Sequence, residues 1–178
     1  MPMPSITHAT FDLLTADEGE NRALVFDVAF LAGRLRAAAD WVRKHEFTED
    51  LRIGYFGAST GAAAALIAAA SDPAIAAIVS RGGRPDLAAS ALPRVQAPTL
   101  LIAGGDDAPV IQMNREALAQ LRCEKRLTIV PGASHLFEEP GTLEEVVRLA
   151  TEWFRRYMGP SAGDESLTSL RRQRRSTT

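Results

Sequence analysis

Residues 51–70 read LRIGYFGASTGAAAALIAAA, and the order of residue types in this stretch decides the fold. The run RIGYFG is apolar and has the length of a strand. The residues ASTG that follow it are small, and AAAALIAAA has a strong helix propensity. The stretch therefore predicts a strand, a sharp turn and a helix, with Ser59 placed at the turn.

The same alternation recurs along the rest of the chain. Further apolar runs of strand length are AIAAIVS at 74–80, PTLLIAG at 98–104 and RLTIV at 126–130, and helices are predicted at 111–122 and 142–158. The last helix opens with a second capping box, Thr142-x-x-Glu145. Parallel strands covered by helices on both faces read as continuous apolar runs. The pattern predicts an α/β fold with a mostly parallel, doubly wound sheet of about five strands.

The N-terminal quarter of the chain predicts one more strand and a long helix. Residues 5–14 read SITHATFDLL, and their β-branched and aromatic side chains favour a strand. A capping box at Thr15 and Glu18 opens a helix that is expected to end near Lys44. The apolar stripe of this helix consists of Leu24, Val28, Leu31, Leu35, Ala38 and Val42.

The composition favours one globular domain at residues 1–159, followed by a disordered, Arg-rich tail at 160–178. The chain has 20 Lys and Arg against 22 Asp and Glu, so no overall field favours a nucleic-acid partner. No stretch approaches the ~20 apolar residues of a membrane span, and no membrane partner is expected. The single cysteine, Cys123, excludes a cysteine-based zinc site and suits the reducing cytoplasm. Neither a metal nor a cofactor is expected.

The turn Gly57-Ala58-Ser59-Thr60-Gly61 has the G-x-S-x-G spacing. A strand that turns at once into a helix forces the central residue into a strained conformation with its side chain exposed, so the neighbouring residues must be small. Backbone N–H groups at the start of the helix also favour developing negative charge. The spacing predicts Ser59 as a nucleophile, and a tight turn with a capping serine is the alternative interpretation.

A serine nucleophile needs a histidine base, and the histidine needs an orienting acid. His135 lies in the loop PGASHLFEEPG, directly after a predicted strand, which is where open α/β sheets place their ligand groups. His8 precedes the first elements and His45 lies at the end of a predicted helix, so neither is the favoured base. The acid is expected between serine and histidine in the chain. Asp106 and Asp107 both end the strand PTLLIAGG; Asp107 is the favoured acid and Asp106 the alternative.

The segment SRGGRPD, residues 80–86, follows a predicted strand at the same edge of the sheet. Its glycines permit a close approach of the backbone to a ligand. Arg81 could hold a carboxylate of a small-molecule substrate through a two-pronged hydrogen-bonded contact. An internal salt bridge that fixes the loop is the other role that the sequence leaves open for Arg81.

These stretches resemble the α/β-hydrolase members of the dienelactone hydrolase family. The resemblance rests on GYFGASTGAAAAL, VSRGGRPDLA, APTLLIAGGDD and VPGASHLFEEPGTLEEV, and it covers most of residues 12–158. It implies a serine hydrolase that cleaves a small carboxylic ester, thioester or lactone through an acyl-enzyme on Ser59. The segment Gly104-Gly105-Asp106-Asp107 is similar to the family's G-x-x-D, which supplies the acid, and His135 matches the family's histidine.

The chain departs from the family pattern at two points. Dienelactone hydrolases proper carry cysteine at the nucleophile, where this chain has Ser59. Nothing in MPMPSITHATFDLLT matches the Gly-rich loop that supplies an oxyanion-hole donor in relatives. The α/β-hydrolase fold is therefore expected to lack its first strands, and the oxyanion hole to retain the backbone N–H of Thr60. A non-catalytic binding module is the alternative function, and an exposed sheet edge would allow a homodimer.

Overall fold

The apolar runs form four parallel strands in the computed structural model, which describes residues 6–159. Residues 1–5 and 160–178 lie outside the described residues, and so does the predicted tail. The strands are β1 (Ile53–Ala58), β2 (Ile75–Arg81), β3 (Thr99–Gly104) and β4 (Lys125–Val130), in the spatial order β1-β2-β3-β4. The predicted α/β class with a parallel sheet is confirmed, whereas the expected count of about five strands is one too many for the described chain.

The described residues also form six α-helices and two short 3-10 helices, Pro85–Ala88 and Leu92–Arg94. The α-helices are α1 (Ala16–Gly19), α2 (Arg22–Phe26), α3 (Val28–Lys44), α4 (Thr60–Ala70), α5 (Ala108–Gln120) and α6 (Thr142–Met158). Helices α4 and α5 cover one face of the sheet and α3 packs against α4, while α6 covers the other face. The sheet is therefore wound on both faces, as the continuous apolar runs predict.

Strand β3 lies at the centre of the core, and all six of its residues are buried. Leu101 contributes to the apolar cluster under α3, α4 and α5, whereas Leu100 and Ile102 contribute to the cluster under α6. Full burial of one such side chain stabilises a protein by roughly 1.5–3 kcal/mol. The carboxyl end of β3, which leads to Asp106 and Asp107, is thereby held from both faces.

The predicted strand at residues 5–14 is wrong, because the described part of that segment forms no strand. Leu13 and Leu14 instead pack at the margin of the cluster under α3 and α4. The carbonyl oxygen of Leu13 accepts a hydrogen bond of 2.8 Å from the Arg34 guanidinium on α3. The segment thus satisfies its apolar side chains and part of its backbone against a helix rather than against a neighbouring strand.

The long helix predicted from Thr15 to Lys44 is divided into α1, α2 and α3. The capping box at Thr15 is confirmed, and α3 ends at Lys44 as expected. The interruptions occur where side chains accept hydrogen bonds from the backbone of the next turn: Asn21 from Ala23, at 3.0 Å, and Asp27 from Phe30, at 2.9 Å. Such residues compete with the helix backbone and start a new helix instead.

The second predicted capping box, at Thr142 and Glu145, is wrong. Helix α6 begins after Gly141, whose φ of 82° is a left-handed conformation that glycine adopts readily. The Thr142 hydroxyl donates to the carbonyl oxygen of Glu139 at 2.7 Å, and Glu145 forms an ion pair with Arg148. The bounds of this helix are nevertheless as predicted, and Val146, Leu149 and Trp153 of its predicted stripe are buried.

Strands β1 and β4 form the two edges of the described sheet. On β1, Phe56 is 52% exposed, which leaves an apolar side chain near an unpaired strand edge. Association of two copies along such an edge stays a prediction. None of the helices in residues 6–159 combines the length and the apolar character that crossing a bilayer requires.

Candidate active site

Ser59 occupies the turn between β1 and α4 in a strained conformation, with φ 49° and ψ −122°. A positive φ is rare for a residue other than glycine and persists only where the surroundings enforce it. Here the strand and the helix start lie so close that a Cβ atom on Gly57 would be 2.6 Å from the carbonyl oxygen of Gly61. The Ser59 side chain makes no capping hydrogen bond to α4, so its hydroxyl is not occupied by the role that the alternative interpretation gave it.

The backbone of Ser59 is held by the segment that follows β2, residues 81–84. The Ser59 N–H donates to the carbonyl oxygen of Arg81 at 3.4 Å. The Arg84 N–H in turn donates to the carbonyl oxygen of Ser59 at 3.1 Å. These two bonds attach both ends of the 81–84 segment to the serine turn.

Asp107 and His135 come together at the carboxyl ends of β3 and β4. His135 Nδ1 lies 2.7 Å from Asp107 Oδ2, and because a carboxylate accepts hydrogen bonds, Nδ1 is the donor. This tautomer leaves Nε2 free to accept a proton. The other carboxylate oxygen, Oδ1, accepts from the Val110 N–H at 3.4 Å in the first turn of α5. Asp107 is thus fixed from two sides, whereas Asp106 is exposed.

The loop that carries His135, residues 131–137, docks directly on the end of β3. The Asp106 N–H donates to the carbonyl oxygen of Ala133 at 3.0 Å, and the Gly105 N–H donates to that of Val130 at 2.8 Å. A Cβ atom on Gly104 would lie 2.4 Å from the carbonyl oxygen of Ala133 and 2.5 Å from that of Ser134. The absence of a side chain at residue 104 therefore lets this histidine loop approach Asp107.

Glu139 closes the histidine loop from its far end. Its Oε2 accepts a hydrogen bond of 3.0 Å from the Ser134 N–H. Hydrogen bonds from the Ser134 hydroxyl and backbone hold the pKa of the Glu139 carboxyl below its usual range. The carboxylate therefore stays ionised at neutral pH and keeps accepting from the residue next to His135.

The 81–84 segment is close to both Ser59 and His135. A Cβ atom on Gly82 would be 3.2 Å from the carbonyl oxygen of His135 and 3.6 Å from its Cε1 atom, so the segment that holds Ser59 also contacts His135. Within the described residues no hydrogen bond joins the imidazole to the Ser59 hydroxyl. Catalytic hydrogen bonds are often long in structures without substrate and shorten when substrate binds.

Two further predicted residues, Thr60 and Arg81, flank the turn. Thr60 is the first residue of α4, where backbone N–H groups have no partner within the helix. The Arg81 guanidinium donates to the carbonyl oxygen of Leu136 at 3.3 Å and lies 5.6 Å from the centre of the Phe137 ring. No carboxylate of the described chain pairs with Arg81; the ion pair in this stretch joins Arg84 to Asp86 at 2.8 Å.

Sequence reasoning missed the part played by Phe137. It is 2% exposed and has a φ of 60°, the second positive φ of a residue other than glycine in the described chain. Its ring lies beneath the Arg81 guanidinium and next to Gly82. Phenylalanine gives no local signal for a left-handed conformation, because the conformation is imposed by the tertiary contacts of the ring.

Cys123 and the acidic side chains form no metal site in the described part of the chain. No group of three or more His, Cys, Asp or Glu side chains there is arranged to hold a metal ion. Burial raises the pKa of the Cys123 thiol, and its sulfur contacts the Thr99 hydroxyl at 3.8 Å. A raised pKa lowers the fraction of reactive thiolate.

The parallel sheet, the strained serine turn and the Asp–His pair at the carboxyl edge define an α/β-hydrolase-fold protein. The family model described as "Dienelactone hydrolase family" matches residues 19–158. The chain belongs to the dienelactone hydrolase family.

The chain is also similar to solved structures of hydrolases and to a curated protein that carries a different name. A dienelactone hydrolase from Anabaena variabilis is 59% identical, has a TM-score of 0.80, and is matched over 83% of this chain and 70% of its own. An α/β serine hydrolase without a lid from Xanthomonas campestris is 28% identical, with a TM-score of 0.58 and 74% and 59% coverage. A Mycobacterium tuberculosis protein with a provisional name as a phosphoribosyl transferase is 57% identical over 146 residues. The match covers 81% of this chain and spans about a third (33%) of the relative.

Replacing Gly104 tests how the histidine loop is docked. In Gly104→Ala the new methyl group meets two backbone carbonyl oxygens, which cannot rotate away, so the loop must shift away from β3. We expect the free energy of unfolding, measured by urea denaturation, to fall by about 1–3 kcal/mol. Gly33→Ala, in the interior of α3 with no atom closer than 4.0 Å, is the matched control and should be neutral or stabilising. Equal effects of the two substitutions would contradict the docking contact.

Proposed function

We propose that the protein is a serine hydrolase that cleaves a small carboxylic ester, thioester or lactone through an acyl-enzyme on Ser59. The observation that carries this proposal is the 2.7 Å hydrogen bond between Asp107 and His135, formed at the same sheet edge as the strained Ser59 turn. Membership of the dienelactone hydrolase family supports hydrolysis as the reaction class.

The proposed reaction follows from these three groups. Ser59 Oγ attacks the carbonyl carbon of the substrate while His135 Nε2 takes the hydroxyl proton. The C–O or C–S bond to the leaving group then breaks, and His135 returns the proton to the departing oxygen or sulfur. Water, deprotonated by the same nitrogen, then attacks the acyl carbon. The bond from that carbon to Ser59 Oγ breaks, and His135 returns the proton to Oγ, which releases the carboxylic acid and restores the serine. Asp107 orients the ring and stabilises the imidazolium throughout.

The oxyanion that forms during attack needs hydrogen-bond donors, and we propose the backbone N–H of Thr60 as one of them. Thr60 follows Ser59 directly and lies at the start of α4, where the helix dipole favours negative charge. Loss of a single donor of this kind typically lowers turnover about 100- to 1000-fold. The number of donors therefore has a strong influence on the rate that the site can reach.

A non-catalytic binding module is the alternative function. The observation that favours it is the incomplete oxyanion hole, since nothing in residues 1–15 of the sequence matches the Gly-rich loop that supplies a donor in relatives. A fluorophosphonate probe separates the two functions, because it labels an activated serine and not an inert one. The proposed hydrolase is labelled at Ser59, whereas a binding module is not.

The proposed hydrolase activity does not extend to the transferase activity that the provisional name of the curated relatives suggests. The chain spans about a third of those proteins, and the dienelactone hydrolase family model matches residues 19–158 of this chain. We propose a cytoplasmic location, supported by the single cysteine of the sequence.

Removing the nucleophile and the base tests the proposed mechanism. Ser59→Ala and His135→Ala should each abolish nearly all turnover of p-nitrophenyl acetate, because the serine needs the histidine as its base and the histidine needs the serine as the nucleophile. For the same reason the double variant should be no slower than either single variant. Initial rates at saturating substrate check this, with thermal unfolding as a control for folding. Partial losses that add together in the double variant would contradict the assignment.

The neighbouring aspartates provide a matched pair for testing the acid. In Asp107→Asn the amide oxygen can keep the hydrogen bond from the Val110 N–H, which turns the NH2 donor toward His135 Nδ1. This favours the wrong tautomer, and the equivalent change lowers kcat about 10⁴-fold in a well-studied serine protease. Asp106→Asn changes an exposed side chain at the next position and should leave kcat within about twofold, since it lies outside the histidine contact. The reverse order would make Asp106 the acid.

We also propose that Arg81 contacts a carboxylate on the substrate. Its guanidinium donates to the carbonyl oxygen of Leu136, the residue after His135, and has no carboxylate partner within the described chain, so donors remain available. Arg81→Gln should raise the KM of a monoester of succinic acid about tenfold, the equivalent of one charge-assisted hydrogen bond, and leave that of p-nitrophenyl acetate unchanged. Equal effects on the acidic and the neutral ester would instead show that Arg81 supports the histidine loop alone.

A further inference from the structure

We propose that Asn114 is a positioning residue of the active site, which fixes the 81–84 segment relative to the helix that begins at Asp107. The inference rests on the proposed function, because it assigns a role within the same site. Asn114 touches neither Ser59 nor His135 by any hydrogen bond, and it acts through the backbone between them.

The Asn114 side chain connects two elements that are far apart in the sequence. It lies on α5 and is 0% exposed. Its Nδ2 donates to the carbonyl oxygen of Gly83 at 3.2 Å and to that of Val110 at 2.8 Å. The first bond leaves the helix and reaches the middle of the segment that holds Ser59.

The orientation of this amide is set by its two acceptors. Both partners are carbonyl oxygens, so a rotated amide would place Oδ1 against them and lose both hydrogen bonds. In the orientation observed, Oδ1 is buried without a hydrogen-bond partner in the described chain. A buried acceptor without a partner destabilises a fold, and an apolar side chain of the same size would avoid that cost. The presence of an asparagine at this buried position is therefore explained by the hydrogen bonds that its Nδ2 group donates and not by packing.

Each end of this link continues to a proposed catalytic group. On one side, Gly83 lies between Gly82, which contacts His135, and Arg84, whose N–H donates to Ser59. On the other side, Val110 donates its N–H to Asp107 Oδ1. Asn114 thus couples the position of the acid to the segment that contacts the nucleophile and the base.

Close packing also restrains the 81–84 segment. A Cβ atom on Gly83 would lie 2.0 Å from Ser80 Oγ and 2.8 Å from the Cβ atom of Ala62, so the segment passes close to β2 and α4. The Asn114 hydrogen bond to Gly83 adds a restraint from α5. Three elements of the fold therefore limit the position of the segment.

Asn114→Leu tests the inference, because leucine has a similar volume and no donor. We expect kcat for p-nitrophenyl acetate to fall about 10- to 100-fold with KM changed less than about twofold, since a displacement of the order of 1 Å has effects of that size. Amide hydrogen exchange of residues 82–84 should also become faster in this variant. Asn114→Ala, which cannot clash, serves if leucine is not accommodated.

Leu121→Ala is the matched control. Leu121 is 1% exposed and lies at the other end of α5, so its loss weakens the packing of the same helix without removing the bond to Gly83. It should lower the unfolding temperature and leave kcat unchanged.

The inference is overturned if Asn114→Leu changes neither kcat nor exchange at 82–84, or if Leu121→Ala lowers kcat equally. If the unmodified protein neither turns over the ester nor reacts with a fluorophosphonate, the proposed function fails. In that case the rate of amide hydrogen exchange at residues 82–84 in Asn114→Leu still tests whether Asn114 fixes the position of the segment.

Discussion

The candidate site depends on the burial of β3 (Thr99–Gly104) between two apolar layers. This strand pairs with β2 on one side and β4 on the other, and all six of its residues are buried. It cannot shift without breaking two hydrogen-bond ladders and both clusters of the core. Its carboxyl end is therefore a fixed reference point. Asp107 follows the end of β3 by three residues, and the histidine loop packs on Gly104 and Gly105.

Strain is concentrated where the other chemical groups approach this fixed point. Ser59 and Phe137 have positive φ values, and each would relax if its neighbours allowed. Ser59 is held by the contact of Gly57 with the start of α4 and by two hydrogen bonds to the 81–84 segment. Phe137 is held by its buried ring. The cost of order 1–3 kcal/mol for each such residue is met by packing elsewhere in the sheet.

The sequence allowed prediction of the elements whose signal is local. Continuous apolar runs gave the four strands, and small residues around Ser59 gave the turn, because burial and close packing leave direct traces in residue type. The prediction of a strand at residues 5–14 was wrong, since β propensity does not reveal whether a partner strand exists. The prediction of one long N-terminal helix was wrong because Asn21 and Asp27 cap new helices. Asn114 was missed because its partner, Gly83, is 31 residues away and only the tertiary fold brings the two together.

The three proposed catalytic side chains all come from the chain between β1 and α6, and the contacts that fix them come from the same region. Their relative placement is therefore a property of the four-stranded sheet and its loops. Other residues near this framework are less constrained: Leu136 is 58% exposed, and its carbonyl oxygen accepts a hydrogen bond from Arg81. Substrate choice resides in the shape of the surface around a site and not in the fold. Changes at exposed positions such as Leu136 need not disturb the end of β3, because the contacts that hold Asp107 and the histidine loop there involve Gly104, Gly105 and Val110.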